Sequence, residues 1–225
     1  MTTTHPELRR TRLDRTPVGF RIGFWACMMI GVAVVARRLA ALQQASDRSG
    51  APTELARLDA WFLAHVWMTY LHILTALIFL CTLPFVFWER TARSALWRSA
   101  FYCLGAAVIV TAYGMSTYSV GGWVERSAVL VFNTLFAIEL WMSFQAWRAK
   151  KDAEARQWTL RSTATVLGIA TTRPVMGIFF ATSRATHWTP QQFFGPAFWI
   201  GFSINVLVME IWLRRYATFR DGSSM

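Results

Sequence analysis

Apolar and polar positions fall into long alternating blocks along this chain. Six apolar runs, at 18–36, 61–88, 99–120, 127–147, 159–182 and 193–213, are separated by short polar stretches rich in Arg and Lys. A run of about 20 apolar residues crosses about 30 Å of hydrocarbon at 1.5 Å of helical rise per residue. Lipid offers the backbone no water, so each run must satisfy its peptide groups internally, as a helix. The pattern therefore predicts an all-α fold: a polytopic integral membrane bundle of six transmembrane helices in a single domain, 18–213. A basic arm, 1–17, precedes it and a short tail, 214–225, follows. The run at 18–36 is long for a signal sequence and no small-x-small cleavage site follows it, so it reads as an uncleaved first span.

Two local features refine this outline. Gly121-Gly122 suits a tight reversal between the third and fourth spans. Pro174, inside the fifth, removes a helical hydrogen bond and predicts a kink. Paired Gly and Pro breaks in two matching halves, the mark of many transporters, are absent from the sequence.

Composition agrees with the pattern. Hydrophobic residues make up 55% of the chain and charged residues 16%, against roughly 25% charged in soluble domains. Twelve Trp and seventeen Phe suit two lipid–water interfaces. The formal charge of +11 comes from clusters between the runs, with no nucleic-acid recognition motif around them. Those clusters set topology. With the amino terminus inside, the inner segments hold Arg9, Arg10, Arg12, Arg15, Arg90, Arg93, Arg98, Arg148, Lys150, Lys151, Arg156, Arg214, Arg215 and Arg220. The outer ones hold Arg37, Arg38, Arg48, Arg57, Arg126 and Arg184. This asymmetry predicts both termini on the cytoplasmic side of a bacterial inner membrane. Membrane lipids are the expected partners, with nucleic acid excluded. The long outer segment 37–60 is expected to lie along the surface as an amphipathic helix.

Ionisable groups inside spans are costly and become the candidate site. They are His65 and His72 in the second span, Glu139 in the fourth, Arg161 and Arg173 in the fifth, and Asn205 and Glu210 in the sixth. Helical rise places Arg161 with Glu210 near the inner face, His72 with Glu139 near the middle, and His65 with Arg173 in the outer third. The expectation is a polar seam in which these charges face one another. The bland readings are snorkelling for Arg161, beside Trp158, and a singly hydrogen-bonded core role for each histidine.

Cofactor chemistry is sparsely supported. His65 and His72 share one helix, and His5 and His187 lie outside the spans, so no bis-histidine haem clamp can form. A single His with a Met partner (Met115, Met142 or Met176) is what remains for haem, and a quinone is the other cofactor considered. No metal site is expected. Cys27, Cys81 and Cys103 sit in apolar runs without CxxC spacing and read as packing residues. Protease, esterase and phosphate-loop motifs are missing.

Four segments occur in order: LHILTALIFL, WRSAFYCLG, RQWTLRSTATVLGIATTRP and INVLVMEIWL. Together they resemble the bacterial membrane proteins grouped as domain-of-unknown-function family 2306, over roughly 61–215. The resemblance implies recurrent roles for His72, Arg98, Trp158, Arg161, Arg173, Asn205 and Glu210. Two characteristic histidines of the family are replaced, by Trp97 and Ala155, so a histidine cluster is not carried over. The family brings an architecture and no activity. Three functions are consistent with these residues: binding of a lipid, quinone or similar anionic amphiphile; an accessory subunit with a membrane-protein partner; and redox or proton transfer with a bound cofactor.

Overall fold

The computed structural model describes residues 18–43, 63–88, 91 and 94–221. All regular structure among them is helical: α1 Val18–Gln43, α2 Val66–Phe87, α3 Ala95–Ser116, α4 Gly122–Arg148, α5 Asp152–Thr186 and α6 Pro190–Asp221. Each contains a stretch long and apolar enough to cross a membrane. The six expected runs are six helices.

The helices outrun the apolar blocks. α5 spans 35 residues and begins at Asp152, well before the expected Thr159. α6 absorbs most of the expected tail, and α1 continues through Arg37 and Arg38. A helix needs only satisfied peptide groups, and these are satisfied as well in water as in oil. Apolar composition therefore marks the buried length and not the helical length. α5 is one continuous helix from Asp152 to Thr186 with Pro174 inside it. Within the expected surface helix at 37–60, residues 37–43 continue α1. Positions 44–60 and the arm, 1–17, lie outside the described residues.

Tight reversals connect the last four helices. Gly122 has a φ of 61° and opens α4, a backbone state that costs glycine little. Lys150 and His187 take left-handed φ values of 56° just after α4 and α5, the usual way a helix is terminated.

α5 is central, packed chiefly on α6 and α4 and also on α1; α3 joins α2 to α4. One apolar cluster joins α1 to α5 around Phe79, Leu83, Phe101 and Phe136. A second joins α4, α5 and α6 around Phe132, Met176, Phe193 and Phe198. Close approach of α5 to α6 depends on small residues: a Cβ on Gly168 would lie 2.6 Å from the Phe202 ring, and one on Gly201 would lie 2.6 Å from the Thr172 nitrogen. This is how helices approach where no hydrophobic effect drives them together. The outer surface carries Trp67, Leu71, Ile78, Ile138, Trp141 and Leu207 exposed. Cys81 and Cys103 also lie on it, which corrects their reading as packing residues; Cys27 is half-buried.

Candidate functional site

The bundle has two unlike ends. The basic end carries the α4–α5 turn with Arg148, Lys150 and Lys151; the opposite end carries the turns at Gly121-Gly122 and at His187. Polar groups inside the bundle divide between them.

Toward the basic end, Arg161 Nε donates to Glu210 Oε2 at 3.1 Å, and Arg214 Nε donates to Glu210 Oε1 at 3.0 Å. Both carboxylate oxygens are thus engaged, one from α5 and one from the next turn of α6. The Arg161 guanidinium also lies 4.7 Å from the Trp158 ring centroid, a cation–π distance. The expected pairing of Arg161 with Glu210 is present. Next to it stands Glu139, 4% exposed, whose Oε2 accepts the Thr165 hydroxyl at 2.7 Å. The charges that act on Glu139 are Arg161 and Glu210.

The expected partner of Glu139 was His72, and here the structure differs. His72 Nδ1 pairs with Thr111 Oγ1 on α3 at 3.0 Å, and no hydrogen bond or ion pair joins His72 to Glu139. Equal depth is a necessary condition for contact, but it leaves azimuth open, and α2 faces α3 here. His65 is also reassigned. It occupies the N-cap position of α2, just outside the helix, and its ring lies tilted against Tyr118 with centroids 3.8 Å apart. His72 thus meets α3 itself, and His65 the turn that follows it.

Asn205 links α6 to α5 twice. Its Nδ2 donates to the Ala164 carbonyl at 3.1 Å, and its Oδ1 accepts from Thr171 at 2.7 Å. Arg98 pairs with Asp152 at 3.6 Å at the basic end.

Toward the opposite end, Arg173 stands apart. Its Nε is buried without an acceptor, and its Nη1 has only the Met176 sulfur at 3.7 Å. No carboxylate lies within ion-pair distance among the described residues. The nearest influences are the charges of Glu125 and Arg37. Glu125 is 8% exposed and its Oε2 accepts the Gly121 N–H at 2.6 Å.

Sequence reasoning missed Glu125 by starting the fourth span at 127. A signal existed: Glu125 lies fourteen residues before Glu139, hence on the same helix face about 21 Å away. Also missed was a hydroxyl chain, Tyr102 to Ser143 at 3.0 Å and Ser143 to Thr159 at 2.8 Å, which joins α3, α4 and α5. Ser and Thr are too common in helices for sequence to have singled these out.

Two hollows lie elsewhere. One of about 230 Å³ sits at the α5–α6 turn beside Arg184, His187 and Trp188. The other, about 320 Å³, is a groove between α3 and α4 beside Cys103 and Trp141. No cluster of three or more His, Cys, Asp or Glu able to hold a metal is present among the described residues.

Taken together, the described residues form a helical bundle with six helices long and apolar enough to cross a membrane, as in multi-pass membrane proteins. No protein-family model matches the chain, and neither a curated protein nor a solved structure is significantly similar to it.

Proposed function

We propose that this is a multi-pass protein of a bacterial cytoplasmic membrane that binds an anionic or polar-headed amphiphile (a lipid, a quinone or a similar molecule) within its polar interior. The resemblance to domain-of-unknown-function family 2306 and the excess of Arg and Lys at one end support the location, with both termini inside. The carrying observation is Arg173: a guanidinium inside an apolar bundle, with an Nε that lacks an acceptor and no carboxylate within ion-pair distance among the described residues. An unpaired buried charge costs several kcal/mol, so a bound anion or carbonyl is the natural complement. Binding sites of this kind hold a few polar groups among apolar walls. Mass spectrometry of the detergent-purified protein tests the reading: an amphiphile should travel with wild type and be depleted in Arg173→Ala. Equal amounts in both, with a lowered melting temperature in the variant, would reject it.

A second reading has its own observation. Glu210 is fully engaged by Arg161 and Arg214, and Asn205 by Ala164 and Thr171. Groups so completely satisfied by one another fit an accessory subunit whose polar interior fixes helix packing.

A further inference from the structure

Arg173 is only part-buried as a residue, and the direction of its side chain restricts what can reach it. The guanidinium turns toward the Met176 turn of α5, where Nη1 meets the sulfur. Gly177 lies one turn beyond Arg173, on the same face of the helix. It is exposed, and a Cβ built on it would meet nothing within 4 Å. Its neighbours Pro174, Ile178 and Phe180 are exposed as well. Part-buried Arg173 therefore stands one helical turn from an exposed apolar stretch of α5, toward the end of the bundle that carries the His187 turn.

The acid nearby does not fill this position. Glu125 is held to the start of α4 by the Gly121 N–H at 2.6 Å. It is held there from the other side by close packing, since a Cβ on Gly195 would lie 2.9 Å from the Glu125 nitrogen. Its charge acts on Arg173 from beyond ion-pair distance while Arg37 adds a like charge.

We propose that Arg173 is the head-group site of an acyl-chain oxyanion that enters laterally across Gly177. The proposal rests on the binding reading above and deepens it. The ligand's two oxygens accept from the guanidinium, a geometry for which arginine is suited. Its chain lies along the exposed Pro174–Phe180 flank. A fatty-acid carboxylate and a phospholipid phosphodiester share this chemistry.

The test uses the full-length protein in phosphatidylcholine nanodiscs, with oleate and phosphatidylglycerol as separate probes and native mass spectrometry as the readout. Gly177→Leu is the informative variant, because its Cβ meets nothing within 4 Å and the change raises helix propensity. It should fold as wild type does and weaken binding of the true ligand class about tenfold or more. Arg173→Gln should weaken it at least as much and Arg173→Lys less, since a charge remains but the bidentate fork is lost. Loss for oleate alone identifies a free carboxylate, and loss for phosphatidylglycerol alone identifies a lipid. Unchanged affinity for both probes in Gly177→Leu and Arg173→Gln overturns the placement. If Asn205→Ala or Arg161→Ala abolishes binding in that case, an amphiphile is bound elsewhere and the broader reading stands. Absence of any carried or added ligand in wild type overturns both.

Discussion

The two ends of this bundle hold their helices together by different means. Toward the basic end, polar side chains bond across helix contacts: Arg161 to Glu210, Thr165 to Glu139, Ser143 to Thr159 and Tyr102. Toward the opposite end, α4 and α6 meet backbone to backbone at Gly121 and Gly195, and stacked rings such as Phe179 on Phe193 fill the rest. There the Nε of Arg173 is buried without an acceptor. A helix contact made of hydrogen bonds can be lost one bond at a time, whereas a contact made of glycines has no tolerance for added volume. The two halves thus differ in how much added volume and how much lost bonding each can absorb.

The largest effect should follow from the glycine contact. In Gly195→Leu the new Cβ would lie 2.6 Å from Val124 and 2.9 Å from the Glu125 nitrogen, so α4 and α6 must part. Overpacking of this kind costs about 1–3 kcal/mol and more where backbone is struck. The expected result is poor yield or a melting transition many degrees lower; a wild-type melting profile would remove the distinction between the ends.

Next in size is Glu210→Ala, which strips both arginines of their acceptor. Because Arg214 is 79% exposed, solvent will compensate it, and the expected loss is about 1–2 kcal/mol. Chemical denaturation in mixed micelles measures it. Arg173→Met should move the opposite way in delipidated protein. Removing an unpaired buried cation while keeping much of its volume should be neutral or stabilising by about 1 kcal/mol. A loss equal to that of Glu210→Ala would mean that Arg173 is as fully satisfied as the basic end.

The smallest effect is a coupling. His72 bonds to Thr111 and Glu139 to Thr165, so His72→Leu and Glu139→Leu should add to within about 0.5 kcal/mol in the double variant. A coupling well above that would restore the direct pair that equal depth suggested.

Glu139 shows how much of the site was legible in sequence. Its depth and lack of a basic neighbour one turn away marked it as a buried group, and it is one. Its partner was not legible, because a threonine hydroxyl leaves no trace distinct from the other Ser and Thr of α5. The pairing of Arg161 with Glu210 could be read because opposite charges at one depth on consecutive antiparallel helices have few other places to go. Glu125 was lost to a boundary two residues too late.

The chain by itself determines that its six apolar runs form helices, which stretches are apolar enough for lipid, and which end is basic. These follow from local facts: the length of apolar runs and the need of every peptide group for a bond. Which faces touch was decided by the tertiary structure alone. It set α2 toward α3, closed Glu210 between two arginines and left the Arg173 Nε without an acceptor. The reason is rotational: a helix fixes the height of each side chain by its own rise, but its azimuth is set only by the volumes of the neighbours it packs against.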